Sequence, residues 1–532
     1  MPHSVPNYPV SEKKYIKRIL RHSPRSLLEL IAATSAAMPF PRDLGRQNLG
    51  MYGPWALADA AWISLAVGGS EDRRGGGARG RRSRPQRSTH RRRQARDASA
   101  RPQDLDTILG YYLALDDPIS TKSAVDHLTN YLLRVAGQQF TWQVDEYSEL
   151  ARTIALLEQT TTDRHLQVLH PGSGWDTGLL GCTVPDYVSL ARLVWGAARM
   201  SAPQRRGRFV PGDLESADFA EFGALHSVEV MTDVLERHFV TTAPRLCGTF
   251  PHDADPLVRR YGFNPVRATP LVEGFGEGYL VPVPAAVLGK ASLLGLYYTG
   301  VKALGNKFAD DLGELFEQYV GRQLRLLPDA EVHPEVVYAL PRNQEGKSVD
   351  WMVVFPDLVL LVEVKSTRPN AELLLGPDGF ADLDILKKRV GKGFQQIETS
   401  AERIAEGHVA FAHIPRDRPV LGMIVTMEPF HLINTPELRA AIEPTRTPVT
   451  VSSIHEVEQA VTITDVSLAG LLLASTRGDG LTLQELFKGH QFTKQQRRPR
   501  AGLGVNSHAA GWAGVGSIDA SLPDRCLKGQ RV

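Results

Sequence analysis

Cysteine is nearly absent from this chain of 532 residues. Only Cys182, Cys247 and Cys526 occur, too few and too far apart for a disulfide framework or a four-ligand zinc site. No apolar run reaches about 18 residues, so no membrane span is expected. The N-terminus has no basic start followed by an apolar stretch, which speaks against a secretory signal and for a cytoplasmic, reducing location. No G-x-x-x-x-G-K-[ST] string is present, so no nucleotide-driven motor is expected in this chain. Lysine is scarce, 15 against 46 arginines, with none between Lys122 and Lys290.

What is there is enough to bury substantial cores. Apolar residues make up 42% and charged residues 23%. The net charge of +2 conceals an asymmetry: residues 71–102 carry +9 and residues 488–532 carry +6, which leaves −13 for the rest. Overall charge therefore gives no support to a nucleic-acid partner, and any such partner must be argued from a local site.

Residues 1–70 read as helical, with PRSLLELIAATSAAM and PWALADAAWISLAV carrying apolar residues at helical spacing. Residues 71–102 are an arginine-rich stretch without a large aliphatic or aromatic residue, expected to be a disordered linker. Residues 103–300 are expected to form an α-helical domain that docks a partner protein or a second copy, or supports the domain C-terminal to it. Its helices are read at DLDTILGYYLAL, SAVDHLTNYLLRVAG, EYSELARTIALLEQ, VPDYVSLARLVWGAARM and HSVEVMTDVLERHF. Gly274, Gly276 and Gly278 suggest a phosphate-cradling loop. An extended, proline-containing stretch comes after them where a helix N-terminus is required, so a turn is expected. His252, Asp253 and Asp255 read as a polar loop, and Trp142, Trp175 and Trp195 as core or interface anchors. Residues 488–532 show no periodicity and are assigned no structure.

The informative stretch lies between residues 308 and 430. FADDLGELFEQYVGRQLRLL is a helix whose Phe308, Leu312, Leu315, Phe316, Tyr319, Val320 and Leu324 share one face. Asp310, Asp311, Glu314 and Gln318 fall mostly off that face, and Glu317 at its border. VHPEVVYALP reads as one strand, and SVDWMVVFPDLVLLVEVKS as two strands around a turn at Pro356–Asp357. With those two as the turn, Trp351 faces Val362 and Asp350 faces Glu363. Alternation then puts Asp350, Glu363 and Lys365 on one face. Two carboxylates about 5 Å apart within apolar strands repel each other and lose hydration, a cost that a divalent cation relieves. A further amphipathic helix shows Phe394, Ile397, Ala401 and Ile404 on one face, and RPVLGMIVTM is a fourth strand.

Asp350, twelve intervening residues and then Glu363-Val364-Lys365, behind the helix GELFEQYV, resemble the PD-(D/E)xK nuclease superfamily with its restriction-endonuclease-like fold, over about residues 305–430. Val349 stands where the signature has proline. The resemblance implies an α/β domain with an αβββαβ core, placed over 301–487. With the helical periodicity read before it, the chain is expected to be α+β, a large helical N-terminal region followed by that domain. It implies Mg²⁺-dependent hydrolysis of DNA phosphodiesters in bacterial defence or DNA processing, with Mn²⁺ able to substitute and RNA an open alternative. Asp350, Glu363 and the Val364 carbonyl would ligate the metal. Lys365 would orient and activate the attacking water, Glu317 would hold a second ion or a metal-bound water, and Gln396 would be a polar helper. The competing expectation is an inactive nuclease-fold scaffold serving as an interaction module.

Overall fold

The computed structural model describes residues 5–38, 53–68, 99–115, 146–200, 206–212, 227–248, 260, 262–340, 344–366, 383–435, 439, 445–475 and 487. Most of the arginine-rich stretch, the helix read at SAVDHLTNYLLRVAG, Trp142, the His252–Asp255 loop, Cys526 and the tail lie outside the described residues. The fold is mixed α/β.

The N-terminal helices appear where periodicity places them: α1 (Glu12–Ile19), α2 (Pro24–Ala37) and α3 (Pro54–Ile63), the last continued by a π turn over Ser64–Gly68. With α4 (Pro102–Leu113) they bury Tyr15, Leu28, Ile31, Leu57, Ile108 and Leu109 in one core. Pro24, Pro54 and Pro102 each open a helix, where the missing N–H costs nothing. Next come α5 (Glu146–Gln159), α6 (Trp175–Leu180), α7 (Val184–Met200), α8 (Val228–His238) and α9 (Ala243–Cys247), then α10 (Pro284–Ala291) and α11 (Leu293–Leu304).

An all-helical region over 103–300 is overturned by a four-stranded sheet within it. Its strands are β1 (Arg208–Phe209), β2 (Val240–Thr242), β3 (Leu271–Glu273) and β4 (Tyr279–Leu280), in the order β1-β4-β3-β2. The sheet is a wall between two cores. Leu271, Tyr279 and Val281 face the α7–α8 core, whereas Val272 and Leu280 face the N-terminal core. Strands of two or three residues are too short to display a period of two, which is why they were illegible. Gly274, Gly276 and Gly278, all at positive φ, make the turn between β3 and β4, and a strand comes after them rather than a helix. The turn reading of this loop is the observed one.

The long helix α12 (Asn306–Leu324) is next, then β5 (Glu331–Pro334), a ribbon of β6 (Val337–Leu340) and β7 (Gln344–Lys347), β8 (Trp351–Val354) and β9 (Val359–Lys365). Helix α13 (Leu383–Glu406), β10 (Val420–Thr426), β11 (Val449–Ser453), α14 (Ile454–Ala460) and α15 (Leu468–Ser475) complete the described chain. The sheet order is β11-β10-β9-β8-β5, with β9, β10 and β11 parallel and β5, β8 and β9 antiparallel.

The single strand read over VHPEVVYALP is instead two. Pro334, with no N–H to donate, ends β5 against Trp351, and β6 turns away to pair with β7. Ser348 secures the break: its Oγ accepts from the Val336 N–H at 2.8 Å and its own N–H donates to the Val336 carbonyl at 2.9 Å.

The two sheet faces carry different cores. Trp351, Val353, Leu360 and Val362 pack on α12, whose predicted apolar face is buried there in full. Met352, Val354, Val359 and Leu361 pack on α13 through Phe394, Ile397 and Ile404. Ala155 and Leu156 of α5 and Leu293 of α11 belong to the α12 core, so apolar packing runs continuously across residue 300. Asp311 departs from its expected place off the apolar face: it is buried, and its carboxylate accepts three successive N–H groups, from Gln167, Val168 and Leu169 at 3.0, 2.5 and 2.9 Å.

Candidate active site

The β8–β9 hairpin sets the site. Trp351 pairs with Val362, Met352 with Leu361, Val353 with Leu360 and Val354 with Val359, and the Phe355 N–H closes the turn on the Leu358 carbonyl at 2.8 Å. This is the register that a turn at Pro356–Asp357 dictates. The ladder ends at Trp351–Val362, and Asp350 and Glu363 are the next residues of the two strands at the open end of the hairpin. Asp350 is a bend residue rather than part of β8, and its Oδ2 accepts the Val364 N–H at 2.6 Å. The residue before it is also held, since the Val349 N–H donates to Ser400 Oγ of α13 at 3.1 Å. Asp350 is therefore anchored from β9 by its side chain, and from α13 through its neighbour's backbone.

Glu363 is 1% exposed. Helix α13 passes close above it: a Cβ on Gly393 would come within 3.4 Å of Glu363 Cγ and 3.1 Å of Ile424 Cδ1. Lys365, two residues along and so on the same face, donates from Nζ to Glu363 Oε1 at 2.5 Å and to Gln396 Oε1 at 2.9 Å. The second oxygen, Glu363 Oε2, is buried without a hydrogen-bond partner among the described residues.

An unpaired buried carboxylate oxygen carries a desolvation cost. Burial, followed by the neighbouring Asp350, pushes the Glu363 carboxyl up to about 8 against the pull of Lys365. Burial pushes Asp350 up to about 6, opposed first by the Val364 N–H and then by Lys365. Glu317 on α12 is pushed up to about 7, by burial first and then by Asp350. Asp350 thus raises the proton affinity of both Glu363 and Glu317, and Glu317 adds to that of Glu363, while Asp350 itself is raised by burial and by Glu335.

The structure brings Asp350, Glu363, Lys365 and Gln396 into one connected set. Glu317 joins it through Asp350's field while its own Oε1 lies 3.6 Å from an Arg164 guanidinium nitrogen. Its main-chain carbonyl accepts from the Trp351 indole N–H at 3.1 Å, which ties α12 to the strand carrying the site. Val364 contributes its N–H to Asp350.

Sequence reasoning missed Arg164, Glu314 and Glu335. Glu314 had a signal, since it stands one helical turn before Glu317. Arg164, some 150 residues upstream in an aperiodic stretch, had none.

Among the described residues no three His, Cys, Asp or Glu side chains form a ready-made metal cage. Two carboxylates, one with a bare buried oxygen, are a donor set for Mg²⁺, which keeps several waters and is commonly held by one or two carboxylates plus substrate phosphate. The residues present fit such an ion. No helix among the described residues is long and apolar enough to cross a membrane. Compared with family models, with curated proteins and with solved structures, the chain matches none.

Proposed function

We propose that this chain is a divalent-metal-dependent phosphodiester hydrolase acting on DNA, built on a restriction-endonuclease-like core. The observation that carries the reading is the hairpin register, which brings a carboxylate pair to one end of the sheet with Lys365 clipped beside it. The order helix α12, strands β5, β8 and β9, helix α13, strand β10 agrees with that core, the β6–β7 ribbon being an insertion.

Asp350 and Glu363 would hold Mg²⁺ or Mn²⁺, with the Val364 carbonyl as a further oxygen donor. When bound, the ion supplies Lewis acidity and neutralises charge developing at the phosphoryl centre. The chain's own residues do the rest. The Val364 N–H fixes the Asp350 carboxylate. Gln396 and Glu363 fix the Lys365 ammonium, which orients the attacking water and faces the developing negative charge. Water adds to phosphorus and gives up a proton to solvent, one P–O ester bond breaks, and the leaving oxygen takes up a proton from solvent. Trp351, held by the Glu317 carbonyl and packed in the α12 core, keeps the strand from shifting.

The test is a cleavage assay with purified full-length protein on linear, circular and single-stranded DNA, with Mg²⁺ or with EDTA. Cutting should require Mg²⁺ and disappear in Asp350→Ala and Lys365→Ala. Equal cutting by wild type and both variants rejects the assignment. DNA binding without cleavage, indifferent to alanine at 350, 363 and 365, is the result expected of an inactive scaffold. Cleavage confined to RNA would move the substrate class.

A further inference from the structure

The segment after α5 is strapped along α12 at several points. Arg322 donates to the Gln159 carbonyl at 2.8 Å, and Thr162 Oγ1 donates to Glu314 Oε1 at 2.6 Å. Thr162 also accepts the Arg164 N–H at 3.1 Å, and the buried Asp311 carboxylate takes the N–H groups of residues 167–169. Arg164 is therefore placed from both sides. Its guanidinium meets Glu314 Oε2 at 2.8 Å, Glu335 Oε2 at 3.4 Å and Glu317 Oε1 at 3.6 Å. Glu335 is shared with Lys347 Nζ at 2.9 Å.

The charges of this network can be counted among the described residues. Asp350, Glu363, Glu317, Glu314 and Glu335 are five carboxylates, and Lys365, Arg164 and Lys347 are three cations. With every group ionised, two negative charges are left over, the charge of one divalent ion. The bare oxygen belongs to Glu363, not to Glu317, which already faces a guanidinium.

We propose that Arg164, delivered from outside the sheet region, takes the place of a second metal ion, holding Glu317 so that the centre binds a single divalent cation on Asp350 and Glu363. This rests on the hydrolase reading and refines it. Arginine suits the task because its planar fork reaches several carboxylates at once and stays charged at all working pH values. A resident cation also removes the need to recruit a second ion against its hydration.

The test counts bound Mn²⁺ on the EDTA-treated full chain by electron paramagnetic resonance of the free ion. Wild type should bind one Mn²⁺, lost in Asp350→Ala. Arg164→Gln, which uncovers Glu317, should bind two, and Arg164→Lys should still bind one. Glu317→Gln should keep the single ion with affinity reduced by no more than the ~10–100-fold typical of an outer-shell partner. Two ions on wild type, one ion on folded Arg164→Gln, or loss of the ion in Glu317→Gln overturns the role of Arg164 and leaves the hydrolase reading standing. No Mn²⁺ on wild type overturns both. The Glu317→Gln arm decides the matter if Arg164→Gln fails to fold.

Discussion

Gly321 on α12 lies against the Trp351 ring, and its replacement by alanine sets two effects against each other. A Cβ built there falls 2.2 Å from Trp351 Cζ2 and 2.5 Å from Cε2. Ordinary carbon contacts are ~3.5–4.0 Å, so ring or helix must yield by more than about 1 Å. The ring has little room: its N–H is bonded to the Glu317 carbonyl, the Arg325 guanidinium lies 4.7 Å from its centroid, and the side chain is 2% exposed. Overpacking of this kind costs ~1–3 kcal/mol, whereas alanine in place of glycine returns ~0.8–1.0 kcal/mol of helix propensity. With the ring pinned, the steric cost should fall in the upper half of its range, about 2–3 kcal/mol, leaving Gly321→Ala destabilised by roughly 1–2 kcal/mol. The matched control is Gly391→Ala in α13, where nothing lies within 4 Å of the added Cβ. That variant should gain about 0.5–1 kcal/mol. Urea denaturation of the two variants and wild type reads both signs. Should Gly321→Ala prove as stable as Gly391→Ala, the α12–Trp351 contact does not have the tightness on which the positioning of the neighbouring Asp350 depends.

The raised carboxyls fix a sign for pH dependence. Asp350, Glu317 and Glu363 leave their ordinary values of 3.8, 4.5 and 4.5 for about 6, 7 and 8. The metal-free folded chain therefore binds more protons than the unfolded chain between those limits, and these groups make it less stable as pH rises from about 4 to 8. In EDTA, the Tm of wild type relative to Glu363→Gln should fall over that range and recover on adding Mg²⁺ at pH 8; a relative Tm that climbs with pH contradicts the burial argument. Metal affinity should rise over the same interval, checked by Mn²⁺ titration at pH 6 and 8. Arg152, 2% exposed, is bidentate to Glu458 at 2.7 Å and also touches Glu149, while the Tyr319 hydroxyl donates to Glu458 at 2.7 Å. Arg152→Met strands these acids and should cost about 3 kcal/mol by denaturant melting, the lower part of the usual range because Glu149 and Glu458 keep some exposure. Gln396→Ala releases one tether of Lys365 and should lower kcat by about 10-fold with KM little changed, whereas a pure KM effect would place Gln396 in substrate binding.

The hairpin was legible because Pro356–Asp357 is the only breaker in an otherwise continuous β-rich run, so a single turn position determined every cross-strand pair. The helices at 146–159 and 184–200 were legible because their apolar spacing continues for several turns. Shorter signals failed. The strands of the first sheet are two or three residues long, and the β5–β6 break depends on Ser348, which no local pattern announces. Asp311 read as a helix acid off the apolar face, because the three N–H groups it accepts come from a segment some 140 residues upstream. Arg164 illustrates the same limit at the site: its charge matters through position alone, and that position is set by contacts to α12 that only the folded chain assembles.

The proposed hydrolysis requires Asp350 and Glu363 together to form a cation seat beside Lys365. An anomalous difference map from a crystal of the full chain grown with Mn²⁺ tests it directly. The expected result is one peak within about 2.0–2.3 Å of carboxylate oxygens from both residues. A map with no peak there, or with Mn²⁺ bound elsewhere while Glu363 Oε2 stays bare, would contradict it.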